Sequence, residues 1–409
     1  MKSIELPRGP ALQATLRVTT QRLAAELATP TAQAPAWDDV TWRVAMAVAV
    51  MHGVSGLLAT RLQWRGPPAW QAFLAEQAEH GRRREARIRE RLAVLHGAAT
   101  AAGVPMLALK GASLLQTGLV RPGERPMSDI DLLVAPADVD AADRLIRAAG
   151  HAPGVRKHRH IAYEPLAQPA APAFGEHEDN PIKIELHTAV AEPLPRREVD
   201  ITASLPPHRP RAGLHGYASP GALMRHLLLH TTGNLCVRCV RLIQLHDIAL
   251  LAQHLDDAGW AEALAPASDD RAAWWAVPTL TLVAQLFPGR LPALPPSALR
   301  ACPPWLLRAS RGWALTDVSL SHLCIPVLPG LAWARGPGDA LGLAWQRLFP
   351  AERAVTAQIV QRQHSLAGSA WTRQPPWRKA LSFLRGAPPR AQTMYSLHRA
   401  LAYQPASSA

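Results

Sequence analysis

The chain has 409 residues, enough for two or three domains and at least one large core, with 48% hydrophobic and 18% charged residues. That balance excludes a disordered or low-complexity chain, and the opening "MKSIELPRGP" lacks the apolar stretch of a secretory signal. Arginine carries the net charge of +13, since there are only five lysines (Lys2, Lys110, Lys157, Lys183 and Lys379). A GC-rich bacterial genome accounts for that charge as readily as an anionic partner such as a nucleotide, RNA or an acidic membrane surface.

Two greasy stretches, "VAMAVAVMHGVSGLLA" (44–59) and "WWAVPTLTLVAQLF" (274–287), are too short and too interrupted for the ~18 apolar residues of a spanning helix. They read as buried helices, with no membrane span. Four cysteines in a long chain without a signal point to a reducing, cytoplasmic setting. "WRVAMAVAVMHGVSGLLATRL" reads as one buried helix. "AFLAEQAEHGRRREARIRERLAVLHGAATAAG" reads as a long amphipathic helix closed by Gly103. Its run "RRREARIRER" is better taken as a solvated face pairing Glu with Arg than as a nucleic-acid patch.

The middle of the chain changes period. "PMLAL" (105–109) is a short buried strand, broken at Lys110-Gly111 and followed by a short helix, "ASLLQTGL". "RPMSDIDLLVAP" (125–136) supplies a second strand, and "ADVDAADRLIRAAGH" a helix closing at Gly150. "RHIAYEPL" and "IKIELHTAV" are two more strands, joined by the Pro- and Ala-rich "AQPAAPAFGEHEDNP". The pattern is α+β, a small mixed sheet with helices on one side. From Ser219, a plausible N-cap before Pro220, the chain turns helical again, with "SPGALMRHLLLHTTGN" ending at Gly233-Asn234 and "VRLIQLHDIALLAQHLDDAG" following. Beyond about 290 a Pro-, Trp- and Arg-rich region suggests loosely docked helices and a mobile tail. The expected organisation is a helical region over 1–103, a catalytic core over 104–215, a helical domain over 216–290 packed on it, and a C-terminal region over 291–409.

Three pieces of the middle carry chemistry. Asp129 and Asp131 alternate on a strand, so both carboxylates share a face and repel unless a cation stands between them. In "IKIELH", Lys183, Glu185 and His187 share one face; alone, this fits a site or an edge strand with one side in water. The Gly turn after Lys110 opens a helix whose free N–H groups suit a phosphate. Carboxylates on neighbouring strands are hard oxygen ligands for Mg2+, the cation that would relieve the repulsion.

"LALKGASLLQ", "RPMSDIDLLV", a helix ending "RAAGH" and then "IKIELH" resemble the uncharacterised nucleotidyltransferase family of the DNA polymerase β-like superfamily, over roughly residues 40–255. "LAWQRLFP" (343–350) is similar to an element near that family's C-terminal end. The resemblance implies a polymerase β-like core and transfer of a nucleotidyl group from a nucleoside triphosphate, with Mg2+ (or Mn2+). It implies that Asp129 and Asp131 bridge two metal ions and that Glu185 completes the catalytic-metal site. Gly111 and Ser113 match the superfamily's triphosphate-holding Gly-Ser turn, although Ala112 stands between them. Lys110 and Arg125 would contact phosphates, Arg125 being equally a partner for Asp129. His187 would orient the acceptor or a metal-bound carboxylate, or rest as a satisfied neighbour. Arg241 and Asp247 match a helix behind the site, with an internal ion pair as the plainer account. The acceptor (peptide, small molecule or RNA), the base and the oligomeric state stay open. Alternatives are a toxin-like enzyme acting on tRNA and a non-catalytic nucleotide-binding scaffold.

His226 and His230, one helical turn apart, precede Cys236 and Cys239 in "CVRC". These are zinc-ligand types. With a helix end expected at Gly233, zinc is disfavoured against buried thiols beside core or acceptor-facing histidines.

Overall fold

A computed structural model describes residues 5–156, 160–167, 174–195, 197–267, 272–326, 328–348 and 389–405, together with 377 and 381. Helix α1 (Pro10–Ala28) precedes α2 (Asp39–His52), which begins where Asp38 accepts the Thr41 N–H at 2.8 Å. The single buried helix expected over this stretch is instead two. The chain turns through 113° into α3 (Ser55–Arg61) at Gly53, whose φ of 66° is left-handed. A Cβ at Gly53 would meet the Arg241 guanidinium and Pro126, so the close approach also demands glycine. No single helix among the described residues is long and apolar enough to cross a membrane.

The long helix α4 (Pro68–Ala101) ends beside Gly103 as expected. Its arginine run is more than a solvated face. Arg83 pairs with Glu79 and Glu178, and Arg89 with Glu85. Arg84 is buried, giving Nε to the Met127 carbonyl at 3.0 Å, Nη2 to that of Pro181 at 2.9 Å and Nη1 to that of Asn180. Arg84 thereby fixes α4 to the segments that lead into the two acidic strands.

The sheet is larger than the four strands expected. Strands β1 (Pro105–Ala108), β2 (Asp129–Leu133), β3 (His151–Arg156), β4 (His160–Pro165), β5 (Lys183–His187) and β8 (Gly213–His215) order as β3-β4-β5-β2-β1-β8. Pairs β2–β5 and β1–β8 are parallel and the rest antiparallel. Strands β6 (Ala191–Pro193) and β7 (Glu198–Asp200) form a separate ribbon. Strand β3 contains Pro153 and Gly154, which break a strand pattern, and β8 has three residues, too few for a period. Helix α5 (Lys110–Thr117) follows β1, and α6 (Val139–Ala148) follows β2.

Alternation divides the sheet. Ile130, Leu132, Ile184 and Leu186 face a core with Ile88, Leu92 and Leu95 of α4 and Ala142 and Ile146 of α6. Leu107 and Leu133 face the other way, into a second core shared by the N-terminal and C-terminal helices. The second face is therefore partly roofed, where helices on one side only were expected.

The C-terminal half is α7 (Pro220–Cys236), α8 (Leu242–Ala252), α9 (Asp257–Ala263), α10 (Val277–Leu286), α11 (Pro296–Ala301), α12 (Pro304–Arg311), α13 (Leu315–Val318), α14 (Pro337–Leu348) and α15 (Ala391–Ala402). Ser219 caps α7 as expected, accepting the Ala222 N–H at 2.9 Å. The helix then runs past Gly233 to Cys236, because Gly233 packs on Glu192 within the helix instead of terminating it. Helix α15 is firmly docked: Leu397 and Ala400 are buried, and Arg43 donates to the Ala400 and Tyr403 carbonyls at 3.3 and 2.6 Å. Parts of "AQPAAPAFGEHEDNP" and of "LAWQRLFP", and the last four residues, lie outside the described residues.

Candidate active site

The parallel register of β2 and β5 sets Asp129 opposite Lys183, Asp131 opposite Glu185 and Leu133 opposite His187. Because Ile130, Leu132, Ile184 and Leu186 are committed to the core, the alternate side chains must emerge on the opposite face. Asp129, Asp131, Glu185 and His187 thus share one surface, as the alternation predicts.

Lys110 joins them from the end of β1. Leu109 N–H is held by the Asp131 carbonyl at 2.9 Å, so the chain leaves the sheet level with Asp131. Lys110 then takes φ 46°, a left-handed conformation for a side-chain-bearing residue. Its backbone N–H donates to Tyr217 Oη at 2.9 Å, and Tyr217 Oη lies 2.7 Å from His226 Nδ1. Burial pushes the Tyr217 hydroxyl well above its usual range and His226 well below its own, so a neutral phenol is hydrogen-bonded to a neutral imidazole. That chain of bonds fixes the strained turn. Lys110 Nζ lands 2.9 Å from Asp131 Oδ1.

The two aspartates are driven apart in acidity. Burial and then Asp131's charge raise Asp129. Burial also raises Asp131, but Lys110 and His187, whose Nε2 is 2.9 Å from the same Oδ1, outweigh it and hold that carboxyl far below the ordinary range. Burial lowers Lys110, while Asp131 and Asp129 more than restore it, so it stays an ammonium.

Gly111 sits against Arg125: a Cβ there would collide with the guanidinium. Arg125 Nε is 2.9 Å from Asp247 Oδ2, so its partner is Asp247, where the sequence offered Asp129. Arg241, offered with Asp247 as an internal pair, gives Nε to the Met51 carbonyl at 3.1 Å. It also lines a cavity of about 350 Å³ with Arg84, Ser128, Glu176, Lys183 and Tyr395. Ser113 is buried in the first turn of α5 and borders another cavity, of about 400 Å³, with Gln116, Tyr217 and His254.

The sequence model of a family described as "Uncharacterised nucleotidyltransferase" matches residues 38–288. The chain belongs to this uncharacterised nucleotidyltransferase family. No curated protein and no solved structure matches it. In this nucleotidyltransferase-family chain the matched span contains Lys110, both aspartates, Glu185 and the Arg125–Asp247 pair, whereas α15 lies beyond it.

Two residues that the sequence did not single out complete the candidate site's surroundings. Tyr217 offered no period to read. His160 did: "HIAYE" alternates His160, Ala162 and Glu164, and in the antiparallel register the first two face His187 and Glu185. His160 Nε2 is 3.5 Å from Glu185 Oε2, and Lys183 Nζ is 2.6 Å from Glu164 Oε1. The four residues of zinc-ligand type in the C-terminal half do not gather. His226 turns to Tyr217, His230 lies 3.9 Å from Glu192 Oε1, Cys236 is buried, and Cys239 Sγ lies 4.0 Å from Arg390.

Proposed function

We propose that the chain is a Mg2+- or Mn2+-dependent nucleotidyltransferase moving a nucleotidyl group from a nucleoside triphosphate to a peptide or small-molecule acceptor. The observation that carries this reading is the register of β2 against β5, which brings Asp131 beside Glu185 on the face that already holds Asp129. Their carboxylate oxygens are the hard donors a divalent cation takes, and the donor set fits. A divalent cation held there supplies charge neutralisation to the phosphates and to the entering and leaving oxygens.

In this reading Lys110, an ammonium with donors beyond the one on Asp131, binds a phosphate oxygen at the turn into α5. Arg125 is held by Asp247 against Gly111 and positions that turn. Glu185 faces the acceptor and takes its proton. The cavity of about 350 Å³ that reaches Ser128 and Lys183, at the leading ends of the acidic strands, is the space for the acceptor. The RNA alternative is weakened because Arg83, Arg84 and Arg89 are engaged within the chain. Four free cysteines suit a reducing compartment.

The test is mass spectrometry of candidate acceptors incubated with each triphosphate and Mg2+ or Mn2+. The wild type should add a nucleotidyl mass with release of pyrophosphate, and Asp129→Asn, Asp131→Asn and Glu185→Gln should each lower the rate at least ~10²-fold. Failure of the wild type to bind any triphosphate with Mg2+, or full activity in the aspartate variants, would remove the enzyme reading.

A further inference from the structure

We propose that His160, Glu185 and His187 form a binding site for a first-row transition-metal ion, which takes it in preference to Mg2+. The site shares Glu185, and Asp131 at its fourth position, with the transfer reading above but stands without it.

The three side chains converge because of the sheet. His160 and His187 are direct cross-strand partners on β4 and β5, and Glu185 is two residues back on the same face. Their rings are 4.9 Å apart between centroids. One donor atom from each of the three lies within 4.8 Å of the other two. Glu185 Oε2 is 3.5 Å from His160 Nε2 and 3.7 Å from His187 Nε2. Ligand atoms each about 2.1 Å from one ion and 90–110° apart stand roughly 3.0–3.5 Å from one another, so the two spacings to Glu185 close with a few tenths of an ångström, and the two imidazoles, within 4.8 Å of each other, close by side-chain rotation. Asp131 Oδ1, 2.9 Å from His187 Nε2, is at the spacing of a fourth ligand.

The donor chemistry decides the ion. Two imidazoles with one carboxylate are borderline donors that suit Mn2+, Fe2+, Co2+ or Zn2+, whereas Mg2+ demands oxygen and keeps its water. The charge also allows a dication. Asp129, Asp131 and Glu185, set against Lys110, sum to −3 + 1 = −2 when all four are ionised. The three donor side chains are 16%, 21% and 13% exposed, open enough for an ion to enter yet sheltered enough to hold it.

Co2+ tests the site, because its visible bands report nitrogen and oxygen ligands. The full-length protein, freed of metal and without nucleotide, is titrated with CoCl2, and Zn2+ is followed by calorimetry. One equivalent should bind, bands should survive a hundredfold excess of Mg2+, and His160→Ala and His187→Ala should each weaken Co2+ binding at least ~10-fold. Cys236→Ser with Cys239→Ser should leave the spectrum unchanged. His160→Gln, checked by circular dichroism, keeps the side-chain bulk without the imidazole and separates lost ligation from lost folding. Unchanged Co2+ affinity in His160→Ala and His160→Gln, displacement by equimolar Mg2+, or a thiolate charge-transfer band would each overturn the proposal. A protein that binds Co2+ as described but transfers no nucleotidyl group leaves this site standing and removes only the transfer reading.

Discussion

Lys110 Nζ stands 2.9 Å from Asp131 Oδ1, on a backbone bent to φ 46°. The repulsion between Asp129 and Asp131 is thus met first by a cation of the chain itself. The strain and the charge separate experimentally. Lys110→Ala and Lys110→Gly both remove the ammonium, and both should weaken triphosphate binding at least ~10-fold, the loss of one charge-assisted bond. Glycine tolerates positive φ, so Lys110→Gly should be more stable than Lys110→Ala by about 1 kcal/mol in denaturant unfolding. Equal stability of the two variants would show that the turn at 110 stores no strain.

Gly111 and Arg125 make a second coupled pair. Arg125 is pinned by Asp247, which is almost fully buried, so its guanidinium cannot swing away freely from a new Cβ. Gly111→Ala should therefore destabilise by about 1–3 kcal/mol as an overpacked site. In an Arg125→Ala, Asp247→Asn background, most of that cost should vanish. A double-mutant cycle in urea measures the coupling, and strict additivity would refute the contact as the cause.

The same two pairs show what sequence could and could not reach. Alternation placed Asp129, Asp131, Glu185 and His187 on shared faces, because a period of two follows from backbone geometry alone. The register of β2 against β5 belongs to no short stretch, and neither does the choice of Asp247 as Arg125's partner, 122 residues away. Helix ends failed where glycine served packing: Gly233 lies against Glu192 inside α7, while Gly53 stops α2 against Arg241. Strands β3 and β8 carry too little period to be read. His160 stands in the alternation of "HIAYE", but its meaning appears only opposite His187.

Helix α15 lies outside the family match yet is built into the molecule. Arg390, at its start, is buried and donates Nη1 to the carbonyls of Arg238 at 2.7 Å and Ser319 at 3.1 Å, and Thr393 Oγ1 donates to that of Leu320 at 2.7 Å. Arg390→Ala should cost about 2–3 kcal/mol, since it leaves two sheltered carbonyls without a charged donor. Thermal melting of the variant checks this. A melting temperature equal to wild type would mean that α15 is an appendage.

His52 makes the fold acid-sensitive. It is fully buried between α8 and the 319–322 turn, its Nδ1 accepting the Leu242 N–H at 2.9 Å and its Nε2 lying 2.6 Å from Ser321 Oγ. A proton on Nδ1 would set donor against donor, and burial with the nearby Arg241 charge lowers His52 from its ordinary 6.5 to about 3. The unfolded chain therefore takes up this proton before the native one does. The contribution to stability is complete above about pH 6.5 and is lost as pH falls toward 3, with a slope of up to about 1.4 kcal/mol per pH unit. His246, lowered to about 4 chiefly by burial, adds a weaker loss of the same sign. Urea unfolding from pH 8 to 5 should show the decline in wild type, and His52→Asn, less stable at pH 8, should show a shallower one. A slope that is the same in both proteins would mean that His52 is not buried as the neutral imidazole.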